Sequence, residues 1–519
     1  MRRTNLTKAM EAFVTGRYFR LRLFLEGISV GIIVGLVITL FRFLIDSVDK
    51  LRPVLYKHLT LANWPLFLLY FAVCLLASYL LYKIVKIEPM ASGSGIPQIK
   101  GILLGKMHMN WIRVLCSKFV GGVIAIGSGM SLGREGPSVQ LGAAIGQGMS
   151  RICSRSRFEE RFLLTSGAGA GLAAAFNAPL AGVIFCLEEL QKNFSPFVLM
   201  ASLAAAVTST AVVQQFFGYE PIFHITSLPS MPLRYYGLLL VLGVFIGILG
   251  RCFNKMLLKS LNLYELQTVL RGWGKPALPI LMAALLGFFL PQVLGGGNQL
   301  VDLLVTQSYS LGFLCILFAG KFFFTMLCFG SGVPGGIFLP MLVLGALGGS
   351  IFSSVVISWG LLDPAYTANL IVFAMAAYFA AVVKAPVTGS ILIMEMTESF
   401  EHMLALIFVS MLAYVIADML DGKPVYDELL DRSLAKQNKF RTATKYRRVI
   451  LELAVKNGSV MDGNYIKNIE WPKYSLVVNL KRGDSELIPE GDTRLQAGDY
   501  LYILVNDKEI AALTQLAGE

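Results

Sequence analysis

The chain has 519 residues, of which 55% are hydrophobic and 15% charged, and its formal net charge is +12 at pH 7. Soluble domains carry about 25% charged residues, so this composition excludes a purely soluble protein and predicts an integral membrane protein. We interpret the excess of Lys and Arg as a signal of membrane topology and not as a nucleic-acid-binding surface.

Apolar runs recur from Leu23 to Leu420, and several exceed the roughly 20 residues that a spanning helix needs. The run 235–249 has no period-two alternation. This excludes a β-barrel and leaves helices as the structure that can cross the bilayer. We predict a first long helix over 23–48 and a second over 64–86.

Charge asymmetry predicts the orientation of both termini. The segment 1–22 has a single acid, Glu11, against the basic residues Arg2, Arg3, Lys8, Arg17, Arg20 and Arg22. By the positive-inside rule we expect this segment to be cytoplasmic. The stretch 436–448 is also basic, which predicts a cytoplasmic C-terminus. The first apolar run starts late and is long, unlike a cleavable signal peptide.

A Gly/Pro-rich motif, GSGIP, follows the second predicted helix at residues 93–97. Closely spaced glycines and a proline break a helix, which leaves free backbone N–H groups beside the Ser94 hydroxyl. Such donors suit a weakly basic anion, although an ordinary tight turn would have the same composition. A second copy, GSGVP at residues 330–334, favours the anion-binding interpretation.

An ionisable residue, Glu135, lies in the stretch GREGPSVQLGAAIG at residues 133–146. The same frame returns 203 positions later as GIFLPMLVLGALGG, residues 336–349. Interrupted apolar segments at corresponding positions of two halves indicate a transporter site. Half-helices that end within the membrane can direct their N-termini at an anion. Close helix packing would also use these glycines, but it explains neither the matching prolines nor the glutamate.

A second internal repeat relates residues 168–190 to residues 375–397, with equivalent positions 207 apart. The chain therefore contains two related halves, about 23–220 and 232–420, and we expect a site between them. The residues alone leave open whether the halves run parallel or inverted.

Three further positions have two interpretations each. Glu188 and Glu189 follow a long apolar run and are either membrane-edge charges or part of a proton path. Tyr426 is either an interfacial anchor or a phenol that donates to an anion.

Two kinds of peptidase are excluded. A membrane-embedded peptidase with an EExxxR motif would need Arg at position 193, which is Asn. A serine peptidase that used Ser94 would need a partnered base, which is lacking, so we predict no enzymatic activity.

The seven cysteines and four histidines are scattered without metal-ligand or CxxC spacing. Cysteine in apolar surroundings behaves as a small hydrophobe. We therefore predict no disulfide, no metal site and no cofactor.

Taken together, five ordered motifs resemble the CLC family of chloride channels and proton/chloride exchangers, bacterial exchangers above all. They are GSGIP, GREGP, GGIF-x-P, AFNAPLAG with the following EE, and KPVY. The resemblance implies an all-α polytopic membrane domain over 23–436, made of an inverted repeat of tilted and broken helices. It also implies a homodimer in the inner (plasma) membrane with one pore per subunit.

The same resemblance implies roles in anion binding. Ser94 and Tyr426 match the side chains that coordinate the central chloride. Ile337 and Phe338 match the positions whose backbone amides bind it.

Two acidic residues match the proton-handling positions of the family. Glu135 matches the gating glutamate, whose carboxylate competes with chloride. Glu189 matches the internal proton-transfer glutamate, which exchangers have and channel members usually lack. Lys100 lies where some bacterial relatives carry an acid, which bears on the cytoplasmic proton route.

The composition changes after Tyr426. We predict a linker over 437–446 and a small β-rich α/β domain over 447–519, which dimerises to complete its core. The stretch 488–499 resembles the RCK/TrkA C-terminal domain, whose members bind small regulators such as cyclic dinucleotides. We expect such a ligand near Asn479, Arg482 and Pro489. A plain dimerisation module is the alternative.

Our leading hypothesis is a secondary active transporter that exchanges chloride for protons. A passive voltage- or pH-gated chloride channel of the same architecture and a membrane-anchored ligand sensor are the alternatives. Glu189 favours the exchanger over the channel, and the anion-site motifs count against the sensor.

Overall fold

The chain divides into two compact units, residues 1–434 and 435–519. The computed structural model describes residues 2–59, 63–219, 221–223, 225, 228–268, 270–439, 448–473, 475–483, 485–506 and 509–517. The helices up to residue 439 are α1 (Arg2–His58), α2 (Trp64–Ile87), α3 (Ile96–Leu103), α4 (Trp111–Gly127), α5 (Glu135–Ile152), α6 (Arg157–Phe176), α7 (Pro179–Phe185), α8 (Pro196–Phe217), α9 (Tyr236–Leu266), α10 (Gly274–Phe289), α11 (Asn298–Thr306), α12 (Leu311–Gly330), α13 (Phe338–Ser358), α14 (Thr367–Val383), α15 (Pro386–Thr397), α16 (Met403–Met419) and α17 (Val425–Lys439). The second unit contains β1 (Arg448–Ala454), β2 (Leu476–Arg482), β3 (Ser485–Leu487), β4 (Tyr500–Asn506) and α18 (Ile510–Leu516).

Seven helical segments within the described residues are long and apolar enough to cross a membrane. They are Tyr18–His58, Trp64–Ile87, Pro196–Phe217, Leu233–Leu266, Leu311–Gly330, Phe338–Ser358 and Pro364–Val383. The apolar helices α10 and α16 are shorter, with 16 and 17 residues. The prediction of an all-α, multi-pass membrane region is thus confirmed.

The first helix is longer than the predicted span 23–48. It runs from Arg2 to His58 and contains Pro53. Arg and Lys have high helix propensity, so the basic segment before Leu23 continues the helix instead of ending it. Proline is tolerated in membrane helices because neighbouring groups satisfy the freed backbone carbonyl. The second helix, α2, lies close to its predicted bounds.

Glycine and proline interrupt the helices where the motifs indicated. Helix α3 has only 8 residues and begins after Gly95, whose φ of 97° is in the left-handed region that favours glycine. Helix α7 has 7 residues, begins at Pro179 and continues into a π-helical turn over Cys186–Gln191. These short elements place helix ends inside the unit.

The two halves are related by an approximate two-fold arrangement. Gly133 and Gly336, which are repeat equivalents, form an antiparallel bridge and exchange both backbone hydrogen bonds, at 2.7 and 2.8 Å. Lys118 and Lys321, also 203 apart, are both fully buried. Each donates to two backbone carbonyls in corresponding loops. The paired segments run in opposite directions where they meet, as expected for an inverted repeat.

Helices α5 and α6 touch along glycine faces. A methyl group added to Gly142 would overlap the carbonyl of Gly167, and one added to Gly167 would overlap the carbonyl of Gly142. Helices α13 and α14 form the corresponding contact in the second half, where Gly345 and Gly349 lie against the α14 backbone. Close packing therefore accounts for the glycines inside these helices, whereas the glycines before α5 and α13 serve the loops described below.

The second unit is a four-stranded sheet with strand order β1-β4-β2-β3. All neighbouring strands are antiparallel. One face of the sheet buries Leu453, Leu480, Leu501 and Ile503 together with Leu513 of α18. The prediction of a small α/β domain after the membrane region is confirmed.

Candidate functional site

Backbone hydrogen bonds join the loops that precede α3, α5 and α13. Gly93 donates to the carbonyl of Val333 at 3.1 Å, and Gly335 donates to the carbonyl of Gly93 at 3.0 Å. The Gly133–Gly336 bridge adds the loop before α5. Three helix N-termini from distant parts of the chain therefore converge. Because the first N–H groups of each helix have no intrahelical acceptor, this arrangement attracts an anion.

Two hydroxyl groups lie at this convergence. Ser94 precedes α3 and Tyr426 is the second residue of α17; they are 2% and 0% exposed. The two side chains are close to each other, but neither hydroxyl oxygen has a hydrogen-bond partner among the described residues. Buried hydroxyls normally have a hydrogen-bond partner. An unsatisfied pair at three helix N-termini is suited to donate to a small anion.

The Glu135 side chain lies at the same place. It is the first residue of α5, is 1% exposed, and its Oε2 atom has no hydrogen-bond partner among the described residues. Only glycine fits beside it: a methyl group at Gly133 would overlap Oε2, and one at Gly136 would lie 2.5 Å from Ser94 Oγ. The Ser94 hydroxyl therefore lies against the first turn of α5, the helix that begins with Glu135.

Backbone donors come from the start of α13. Ile337 is its cap residue and Phe338 its first residue, and both side chains are fully buried. The Phe338 ring packs against Phe176 and Phe379, with centroids 5.1 and 4.7 Å apart. This packing holds the helix start in place, so that its free N–H groups point towards the junction of the three loops.

A second buried glutamate lies close to Lys100 and to the start of α17. Glu189 is in the π-helical turn and is 2% exposed. Its Oε1 atom accepts from the Lys100 ammonium at 2.7 Å, and Lys100 also pairs with Asp427. Asp427 follows Tyr426 directly, so these ion pairs reach the residue next to the phenol. The sequence indicated that Lys100 was unusual but contained no signal for its two partners.

The neighbouring Glu188 has a different environment. Its carboxylate accepts from the backbone N–H groups of Val387 and Thr388, at 3.2 and 2.6 Å, at the start of α15. Its repeat equivalent Glu395 does the same for Leu180 and Ala181 at the start of α7, at 3.0 and 2.7 Å. These glutamates cap the helices of the opposite half. The 207-residue repeat was the one sequence signal for this exchange.

A cavity of about 520 Å³ lies next to these loops, and Leu132, Arg134 and Leu339 are among its lining residues. Arg134, which precedes the Glu135 carboxylate, pairs with Asp46 at 2.9 Å. The cavity therefore borders the segment that leads into Glu135 and the first turn of α13. Sequence reasoning missed Asp46, because an acid near the end of an apolar helix has no local signature.

The three residues predicted as a regulatory ligand site lie in the second unit. Arg482 donates twice to the Asp499 carboxylate, at 2.7 Å each, and also to the carbonyl of Arg494. This hydrogen bonding raises the pKa of Arg482. Burial alone would raise the pKa of Asp499, but its hydrogen bonds hold that pKa below its usual value. Asn479 accepts from its neighbour's N–H, and Pro489 lies beyond β3. The Arg482 guanidinium is thus already occupied.

Within the described residues, no group of three or more His, Cys, Asp or Glu side chains is arranged to hold a metal ion. The seven cysteines are free thiols.

Comparison with known proteins gives two matching families. Residues 73–418 match the family described as voltage gated chloride channel, and residues 450–518 match the TrkA-C domain. The chain is 38% identical over 422 residues to the H(+)/Cl(-) exchange transporter ClcA of Vibrio cholerae serotype O1, covering 79% of this chain and 89% of the relative. It is 36% identical over 445 residues to ClcA of Citrobacter koseri, covering 83% and 92%. Among solved structures, a slow cyanobacterial Cl-/H+ antiporter is similar, with a TM-score of 0.76, 33% identity, and coverage of 80% of this chain and 99% of the antiporter.

Proposed function

The chain belongs to the voltage gated chloride channel family, and we propose that it is a secondary active transporter that exchanges chloride for protons. The observation that carries this proposal is that Glu135 begins one of the helices that converge beside two buried, unsatisfied hydroxyls, while a second glutamate, Glu189, is buried in the same unit. The relatives named as exchange transporters support the same assignment. The proposed role is transport without enzymatic catalysis.

In this proposal, chloride binds between the Ser94 and Tyr426 hydroxyls and the backbone amides of Ile337 and Phe338. The buried and unsatisfied hydroxyls support it. Partial positive charges at helix N-termini stabilise a monovalent anion without a full charge that would trap it. A weakly held anion can leave again, which transport requires.

Glu135 acts as the gate that both substrates share. As a carboxylate it is itself an anion, and it begins the helix whose first turn contacts Ser94. When Glu135 takes up a proton it loses its charge and is no longer attracted to the anion site, so chloride can enter. Chloride and proton thus compete for one place, and their movements in opposite directions are coupled.

Glu189 serves as the relay for protons alone. It is buried in the membrane unit, where an ionisable residue is costly and usually functional. A passive chloride channel, the alternative, has no need of a second buried glutamate at this position. Glu189 therefore favours exchange over simple conduction.

The same proposal covers assembly and location. We assign 1–22 to a cytoplasmic N-terminal segment, 23–436 to the transport domain, 437–446 to a linker and 447–519 to a cytoplasmic regulatory domain. The transporter is a homodimer with one pore per subunit in the inner (plasma) membrane. The basic character of 1–22 and of 436–448 supports the orientation.

Regulation is assigned to the C-terminal domain, with a small ligand such as a cyclic dinucleotide near Asn479, Arg482 and Pro489. Because Arg482 is held by Asp499, a negatively charged ligand would have to compete with that carboxylate.

The dimerisation alternative is supported by the open face of the sheet. Ile450 and Leu476 are 65% and 62% exposed on it and flank Leu504.

Proton movement in proteoliposomes tests the proposed function. Vesicles loaded with chloride and diluted into low-chloride buffer should drive protons uphill as chloride leaves, measured with an external pH electrode. Chloride efflux with proton movement that only follows the membrane potential would assign the chain to the passive channels instead.

A further inference from the structure

The ion pair between Lys100 and Glu189 extends the proposed exchange mechanism and rests on it. Both side chains are buried, with 5% and 3% of their surface exposed, and Nζ lies 2.7 Å from Oε1. Lys100 also pairs with Asp427, which is half-exposed and is itself 2.7 Å from the exposed Lys192 ammonium. One buried ammonium is therefore shared by two carboxylates, one deep in the unit and one towards solvent.

The four charges balance. Two ammonium groups, on Lys100 and Lys192, face two carboxylates, on Glu189 and Asp427. A buried charge without a partner is strongly unfavourable. If Glu189 takes up a proton, Lys100 still has Asp427 within contact. The network can therefore accept a proton on Glu189 without leaving a buried cation alone.

Lys100 also connects the proton glutamate to the anion-binding elements. It is on α3, directly after the Ser94 loop, and Asp427 follows Tyr426 on α17. Glu189 is in the π-helical turn after α7. The ammonium thus ties three separate elements together at one point, and its position sets where the Glu189 carboxylate lies relative to Tyr426.

We propose that Lys100 is a positioning residue for proton transfer, which holds the Glu189 carboxylate while it is charged and stays paired with Asp427 when Glu189 is protonated. In the forward step a hydronium ion gives its proton to Glu189 and leaves as water. The Lys100 ammonium keeps its three protons and its contact with Asp427. When Glu189 passes the proton on, its carboxylate regains Lys100.

The test compares proton and chloride fluxes in full-length protein in proteoliposomes. In Lys100→Met, Glu189 loses its cation and cannot return to a stable carboxylate. Proton flux should fall relative to chloride flux on the order of tenfold, the change that corresponds to one charged hydrogen bond. Chloride flux should persist. Lys100→Arg keeps the charge and should restore most of the proton flux.

Asp427→Asn is the second variant, because it leaves Glu189 paired but removes the alternative partner. Proton flux should fall on the order of tenfold as well, again with chloride flux retained. Lys106→Met is the control. It removes an exposed lysine six residues after Lys100 and should leave the ratio of proton flux to chloride flux at its wild-type value.

An unchanged proton-to-chloride ratio in Lys100→Met would overturn the proposal. So would an equal loss of both fluxes in Lys100→Met and Asp427→Asn when the protein elutes as folded material. Failure of the exchange function itself appears separately, as absence of uphill proton movement in the wild type.

Discussion

At the scale of single residues, the two buried glutamates differ in what surrounds them. Glu135 begins the helix whose first turn contacts Ser94, and its Oε2 atom has no hydrogen-bond partner among the described residues. Glu189 has a cation, Lys100, at hydrogen-bond distance. A group that must leave its place is expected to be held weakly, and a group that only relays protons can be held by a partner. Their variants should therefore differ.

Glu135→Gln imitates the protonated gate. Chloride flux should persist, lose its coupling to protons and become nearly independent of pH, because no titrating carboxylate is left in the anion site. Chloride efflux measured from about pH 4.5 to about pH 7.5, a range of about three pH units, checks this. If Glu135→Gln stayed strictly coupled, Glu135 would not be the gate.

Glu189→Gln should abolish proton movement as well, but it should keep chloride flux and its pH dependence, because Glu135 still titrates. Glu188→Gln is the matched control. Its carboxylate caps α15, so the change should cost about 1 kcal/mol of stability and leave proton coupling intact. Normal coupling in Glu189→Gln would refute the relay role.

Ser94 should tune anion selectivity. Ser94→Pro removes the hydroxyl donor and stiffens the loop before α3, so nitrate coupling should rise relative to chloride. Ser94→Ala removes the hydroxyl alone and separates the two effects. Anion competition measured by calorimetry and flux checks both variants. Wild-type behaviour with both anions would mean that Ser94 does not contact the ion.

At the scale of the elements, glycine decides how close two helices come. The α5–α6 contact leaves no room for a methyl group at Gly167, and this contact fixes the helix that begins with Glu135. Gly237, at the start of α9, has no atom within 4 Å of an added methyl group. These two positions therefore form a matched pair.

Gly167→Ala should destabilise the protein by about 1–3 kcal/mol, the usual cost of overpacking. Gly237→Ala should be neutral or slightly stabilising, because alanine favours helix formation. The fraction of protein that remains folded after heating in detergent, followed by gel filtration, measures both. Equal stability of the two variants would contradict the close crossing.

Polar side chains stabilise two of the helix ends, whereas glycines set the distance between crossing helices. Glu188 and Glu395 each cap a helix of the other half, and the exchange repeats the 207-residue relation found in the sequence. Such caps satisfy N–H groups that no residue of the same helix can reach. The two halves are therefore held together by polar contacts at helix starts as well as by apolar packing.

At the scale of the whole molecule, the division of the chain near residue 434 predicts that the second unit is dispensable for transport. A chain that ends at Gln437 keeps α1 to α16, almost all of α17 and every residue assigned to the anion site. It should still form dimers and move chloride, as measured by cross-linking and flux. A folded, dimeric truncated protein without chloride flux would show that the second unit takes part in transport itself.

The amino-acid sequence by itself determined the class of protein and the motifs whose loops meet in the structure. Glycine and proline act on their own backbone and immediate neighbours, so motifs such as GSGIP and GREGP carry their structural meaning locally. The repeat distances then indicated that these motifs belong together. The same local reasoning predicted that the first helix begins at residue 23, whereas it begins at Arg2, because basic residues also favour helix formation.

Only the tertiary structure decided which charges meet. Lys100 and Glu189 are 89 positions apart, and Glu188 reaches an amide 200 positions away. No periodicity links such pairs, because a contact between side chains on different helices depends on how the whole chain packs. The fold therefore separated two adjacent glutamates into a helix cap and a partner of Lys100, whereas the residues without the family resemblance had left both as membrane-edge charges or part of a proton path.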